Sequence, residues 1–304
     1  MIRNVLRFTS TITRVSTAAL CATPFLHSSA AHAYAWVQPK GSGIVIIQED
    51  RWSGRKGFNS RHDLFRFSND GNSYVNQTNV YVEYGLTRKL TLTGSFWLNQ
   101  VGYEQTDSKN ERFGFGDQEL GARYKMTPLG FLGAPWVGSS QLTVGFPTYK
   151  AHGGRQLLGT GGASVEIRHS IGRPYKLFNL WSYIDMSGGL RFRSGRGAHE
   201  VRFDATHGTN IGAGFTIMEE FSHFQTMNNG AMNDNAGTSF NSNAITSTNF
   251  DLTKMRFSLL KTLGPVSLQA GYQRDLAGRN TGAGGGPFVG IWIPFGGASG
   301  HWKP

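Results

Sequence analysis

The chain is poor in cysteine and in charge, and it has no long apolar run. One cysteine, Cys21, in 304 residues excludes a disulfide scaffold. Charged residues make up 16%, well under the roughly 25% of an ordinary soluble protein. No stretch approaches about 18 consecutive apolar residues, which excludes a helical membrane protein. The 41 glycines follow no three-residue period, so collagen is excluded as well. What the chain does have is 21 Phe, 10 Tyr and 7 Trp spread among those glycines. An aromatic-rich, glycine-rich, charge-poor chain of this kind points to an all-β architecture.

Residues 1–33 read as a cleaved secretory signal. Arg3, Arg7 and Arg14 supply a basic start with no acidic residue, Thr17 to Leu26 is mostly apolar, and Ala31-His32-Ala33 offers a small-x-small cleavage site. A transit peptide is also Arg-bearing and acid-free, but the small-residue site falls where the composition changes, which favours export. Cleavage after Ala33 removes Cys21, three positive charges and no negative ones, leaving +8 on a mature chain that starts at Tyr34. Residues 34–304 then form one domain.

That domain alternates with a period of two, as a sheet with unlike faces requires. Val80, Val82, Tyr84 and Leu86 oppose Asn79, Tyr81 and Glu83. Leu90, Leu92, Phe96 and Leu98 oppose Thr91, Thr93, Ser95 and Asn99. Val266, Leu268, Ala270 and Tyr272 oppose Ser267, Gln269 and Gln273. About twelve such segments occur, near 43–52, 73–86, 89–104, 115–126, 138–149, 160–172, 178–194, 198–208, 210–226, 249–262, 265–277 and 286–296. A secreted β-sandwich shares the alternation. Strands of ten or more residues, an even count, aromatics near strand ends and the export signal favour a closed antiparallel up-and-down transmembrane β-barrel of about twelve strands, polar inside and apolar outside.

Short connections at Thr87-Arg88-Lys89 and Leu263-Gly264-Pro265 suit a periplasmic side. Longer polar stretches near 53–72, 105–114, 150–159 and 227–248 suit loops on the outer side. The glycine clusters Gly161-Gly162 and Gly284-Gly285-Gly286 lack the strand-loop-helix setting of a phosphate loop and read as turns.

The inward phase holds the candidate lumen-lining charges Glu83, Asp117, Glu119, Arg123, Glu166, Arg168, Asp185, Arg191, Arg193, Arg202, Asp204 and Arg256. One reading pairs them as structural ions, because a lone buried charge is costly. The other makes Arg191, Arg193 and Arg202 a constriction that screens solutes and favours anions. No catalytic, cofactor-binding or metal-binding residue is assigned. His169-Ser170, His207 and Ser222-His223, with Glu219 and Glu220 nearby, are the only hints of hydrolytic chemistry. Scattered Lys and Arg make nucleic acid an unsuitable partner. The expected partners are the bilayer, with anionic outer-leaflet lipids, and a small-molecule solute.

Trp36-Val37-Gln38-Pro39-Lys40-Gly41, Glu83-Tyr84-Gly85-Leu86-Thr87, the run from Gly116 to Tyr124 and Ala277-Gly278-Arg279-Asn280 occur in order along the chain. In these segments the chain resembles bacterial outer-membrane barrels near the phenol-degradation MetA-pathway family, described as transporters. The resemblance implies a barrel in the outer membrane of a Gram-negative-type bacterium that passes small hydrophobic or aromatic compounds; the scattered His and Ser residues, without a catalytic run, are what make an enzyme the less expected function. The resemblance brings no site residues with it. Many bacterial barrels end on an aromatic residue, whereas here nine residues follow Phe295. A lipid-acting hydrolase or acyltransferase, and a structural barrel presenting its loops, are the alternative functions.

Overall fold

The computed structural model describes residues 34–126, 136–150, 156–194, 198–227 and 250–296. The expected signal with Cys21, nearly all of the 227–248 loop and the tail 297–304 lie outside the described residues. Fourteen strands run in chain order: β1 Gly43–Phe58, β2 Leu64–Arg66, β3 Asn72–Gly85, β4 Leu90–Gln105, β5 Ser108–Phe115, β6 Asp117–Met126, β7 Val137–Pro147, β8 Ser164–Leu177, β9 Leu180–Arg193, β10 Glu200–Gly212, β11 Phe215–Thr226, β12 Asp251–Leu263, β13 Val266–Arg279 and β14 Thr281–Phe295.

Each strand pairs antiparallel with its neighbour, and β14 returns to β1 from Gly43↔Phe295 to Phe58↔Thr281. Two of the fourteen do not add to the wall count. β5 pairs Leu98–Gln105 of β4 and β6 pairs Leu90–Ser95, so the two are halves of one wall strand broken at Gly116. β2 is a three-residue flap on the end of β1. The result is a closed barrel of twelve wall strands. Closure is what satisfies the backbone of every strand in a medium without water.

Alternation sets what faces out. Leu92, Phe96, Leu142, Val144, Ile167, Leu190, Phe203, Leu259, Leu268 and Val289 are all exposed along the outer wall. A continuous apolar belt of this extent is untenable in water and belongs in lipid. The ends differ as well. One carries the tight turns 86–89, 178–179, 213–214 and 264–265, together with the entry to β1 and the end of β14. The other carries the connection 59–71, the turns at 106–107 and 280, and the strand ends from which the longer connections after β7, β9 and β11 leave.

The interior is less polar than its alternation implies. Toward the long-loop end, Trp52, Val75, Val101, Leu158, Phe224, Phe250 and Leu252 pack into one apolar cluster. Trp97 and Tyr103, aromatics that sequence alone could place in an interfacial girdle, are instead buried inside.

Several boundaries differ from those expected. Residues 105–114 are not a loop: they turn at Thr106-Asp107 and continue as β5. Gly284–Gly286 are not a turn but lie within β14. A Cβ on Gly286 would sit 1.7 Å from the Arg51 carbonyl oxygen, and one on Gly284 2.6 Å from the Trp52 indole. The glycines are there because β1 and its tryptophan pass too close for any side chain. β8 runs on through Pro174, which pairs only with β9 because the β7 ladder stops at Gly172. Proline is tolerated where a strand has one neighbour. The β10–β11 turn lies at Ala213-Gly214, where φ is +49° and +75°, rather than near residue 209.

Candidate functional site

The chain before β1 does not lie outside the barrel. Residues 34–42 enter from the short-turn end and run up the lumen as a strap. At its base, Lys40 bridges Gly85 and the Gly41 N–H donates to the Gly85 carbonyl at 2.8 Å. Higher up, the Gln38 N–H donates to Thr91 Oγ1 at 2.8 Å and Gln38 Nε2 to Glu83 at 2.7 Å. Arg123 Nη1 donates to the Trp36 carbonyl at 3.0 Å, and the Ala35 N–H to Asp185 at 2.7 Å. The Trp36 ring packs edge-on to Tyr183 and occupies the space a Cβ on Gly172 would need. Alternation cannot reveal this segment, because a strap has no ladder and therefore no period.

Above the strap lies a tier of charge. Glu166 on β8 accepts from Arg168 at 2.7 Å, from Arg191 at 2.6 Å and from Arg202 at 3.1 Å. Arg191 also pairs with Glu119 at 2.7 Å, Arg168 with Asp204, and Arg193 with Glu200 at 2.6 Å. Four arginines thus meet four carboxylates across β6, β8, β9 and β10. They fall together because residues paired across neighbouring strands share one face of the sheet: the ladder sets Glu166 opposite Arg191, and Arg191 opposite Glu200.

The remaining candidates sit in separate pairs. Glu83 pairs with Arg123 at 2.8 Å and accepts from the Tyr81 hydroxyl at 2.7 Å. Arg256 pairs with Asp50 at 3.3 Å and lies 3.8 Å over the Phe288 ring. Asp117 binds no cation in the tier. It holds the stretch 156–163 inward through the Thr160 N–H at 2.5 Å and hydroxyl at 2.6 Å. Asp185 faces the strap.

Sequence reasoning missed Asp50, Glu200, Glu220, Asp251, Lys254 and Asp275, all buried. The signal was present for Glu200 and Asp50, which sit two residues from Arg202 and Gln48 on the same phase. Among the described residues, nine buried carboxylates stand against seven buried cations. Pairing therefore takes up the positive charge that an anion-screening constriction would need. Between strap and tier there is a cavity of about 50 Å³, lined by Tyr34, Tyr81, Trp97, Glu119, Glu166 and Arg168 among others. That space admits a few water molecules at most.

Two polar contacts lie on the outer wall. Ser140 Oγ is 2.8 Å from His169 Nδ1, and His207 Nδ1 is 2.5 Å from Glu219. They lie on different strand pairs and do not combine into a nucleophile, base and acid. Among the described residues no group of three or more His, Cys, Asp or Glu is placed to hold a metal ion.

Wall and filled interior together define a transmembrane β-barrel with a segment of its own chain inside. No family model matches the chain, and no curated protein matches it in sequence. Among solved structures it is similar to the COG4313 outer membrane channel from Pseudomonas putida F1, with a TM-score of 0.60 at 17% identity over 85% of this chain and 97% of that one. It also matches the NanC porin (TM-score 0.48, 12% identity, 82% and 98% covered) and the translocator domain of the autotransporter NalP from Neisseria meningitidis (0.48, 9%, 84% and 90%). The first likeness supports the fold. The other two are too loose to decide anything about this chain.

Proposed function

We propose that the chain is an outer-membrane channel for a small solute, exported with removal of residues 1–33, with its short-turn end in the periplasm and a closed resting form. The observation that carries this reading is the strap. A bore that holds residues 34–42 against its inner wall is wide enough to pass a small molecule once the strap is clear. The wall closes on itself without the strap, since the strand order runs round from β1 to β14 and β14 pairs back to β1. The apolar cluster near the long-loop end and the resemblance to the MetA-pathway barrels favour a hydrophobic or aromatic solute. The similar structure from Pseudomonas putida F1 is that of an outer membrane channel.

The Ser140–His169 contact favours a second reading, a lipid-acting enzyme. That contact shows a hydroxyl and a base but no orienting carboxylate among the interactions of His169 in the described residues. One experiment addresses both readings. Protein lacking residues 34–41 is reconstituted beside the full mature chain, and conductance, small-solute flux and hydrolysis of the host phospholipids are measured. The channel reading expects low conductance from the full chain and a several-fold rise on strap removal, with lipids intact. No rise from a folded, strap-free barrel refutes it, and lipid cleavage abolished by Ser140→Ala establishes the enzyme instead.

A further inference from the structure

Residue 34 is held through its ring, its carbonyl and its main-chain nitrogen. Its ring lies 4.7 Å from the Arg168 guanidinium and 5.4 Å from that of Arg123. Its carbonyl accepts from Ser139 Oγ at 2.5 Å. Its main-chain nitrogen, with that of Ala35 at 2.7 Å, faces the carboxylate of Asp185. Asp185 is 1% exposed and sits opposite Gly172, whose missing side chain leaves room for the strap. Nearby cations are committed elsewhere: Arg123 to Glu83, and Arg168 to Glu166 and Asp204. Among the described residues no Lys or Arg forms a salt bridge with Asp185. A carboxylate so deeply buried calls for a positive partner as well as N–H donors.

Signal removal would create that partner in place. Hydrolysis of the Ala33–Tyr34 peptide consumes one water. Its C–N bond breaks, Ala33 leaves with a new carboxylate, and Tyr34 keeps the nitrogen as an ammonium group. The nitrogen that becomes charged is the one already at Asp185. We propose that Asp185 is a binding site for the α-ammonium of the processed chain, so that removal of the export signal completes the ion pair that latches the strap in the lumen. The inference rests on the export and strap readings above and adds a chemical cause for the strap's placement. A precursor still carrying its leader has an uncharged amide at this nitrogen and cannot form the latch. The latch also requires Tyr34 to be first, since one more residue would carry the charge past the carboxylate.

The test begins with intact mass and N-terminal sequencing of protein from outer membranes. A start other than Tyr34 overturns the processing site and the latch with it, and leaves the channel reading to the conductance assay. With Tyr34 established, folded protein at neutral pH is exposed briefly to an amine-acetylating reagent, and labelling is followed by peptide mass spectrometry with exposed Lys89 as reference. The Tyr34 amine is expected to label at least about tenfold more slowly in the folded chain than after unfolding. Asp185→Asn should lose most of that protection while Lys89 labelling and folded gel mobility stay unchanged. Should Asp185→Asn fail to fold, a chain with one Gly inserted before Tyr34 keeps the wall intact, and its terminal amine should label like an exposed one. An amine equally reactive in folded and unfolded wild type overturns the latch. So does protection that persists in both Asp185→Asn and the Gly-extended chain.

Discussion

Glu166 is the carboxylate on which three arginines converge, and Glu166→Gln tests whether the charged tier is a dry structural network. The side chain is 3% exposed and accepts from Arg168, Arg191 and Arg202 within 3.1 Å. The substitution keeps the shape but turns one acceptor oxygen into an NH2 donor facing arginine, and it leaves four arginines facing Glu119, Glu200 and Asp204 alone. Removing one partner of a buried ion pair costs about 3–5 kcal/mol, because the uncompensated charge stays behind. With a urea m-value of about 2–3 kcal/mol/M, the unfolding midpoint should fall by about 1–2.5 M. The assay is loss of folded gel mobility across a urea series in detergent micelles. The double variant Glu166→Gln, Arg202→Gln restores the charge balance and should recover at least about 1 kcal/mol of the loss, as coupled neighbours do. A single-variant loss below about 1 kcal/mol would refute the reasoning: it would mean that water screens the tier and that the lumen is open at this depth.

Leu268→Arg places a charge on the lipid face and should cost about 2–4 kcal/mol of membrane assembly near midplane depth. Sequence alone makes Gln269→Arg mild, since that position faces inward. The structure reverses this expectation: Gln269 is 2% exposed and bonded to Ser258 at 2.9 Å and to the Trp292 indole at 3.1 Å, so Gln269→Arg should also fail in a folding-yield assay. On the β4–β5 hairpin beyond the membrane, the Tyr74 hydroxyl, then Lys109 and Gln100, hold Glu111 down at about 2 from its ordinary 4.5. A depressed carboxylate stabilises above its unfolded value, so hydrogen-exchange protection in this hairpin, taken relative to the unfolded rate at each pH, should be unchanged from pH 7 to 5. Protection should fall progressively below about pH 4.5 toward 2, and in Glu111→Gln it should show no such step.

Period-two alternation was legible because each wall strand has lipid on one side and the lumen on the other. Leu268 and Gln269 could be assigned opposite faces from their neighbours alone, and all-β closure followed from strand length and composition. The twelve inward charges were legible for the same reason. Their partners were not: Arg168 finds Asp204 two strands away, a contact set by strand order and register, which alternation leaves open. The glycine run of β14 looked like a turn because its cause, Trp52, is more than two hundred residues distant in sequence. The strap lay beyond reach altogether. Residues 34–42 carry no periodicity, and nothing in Tyr34-Ala35-Trp36 alone indicates that an aspartate 150 positions later waits at the end of its path. Local pattern decides which way a side chain points; only closure of the barrel decides what it meets there.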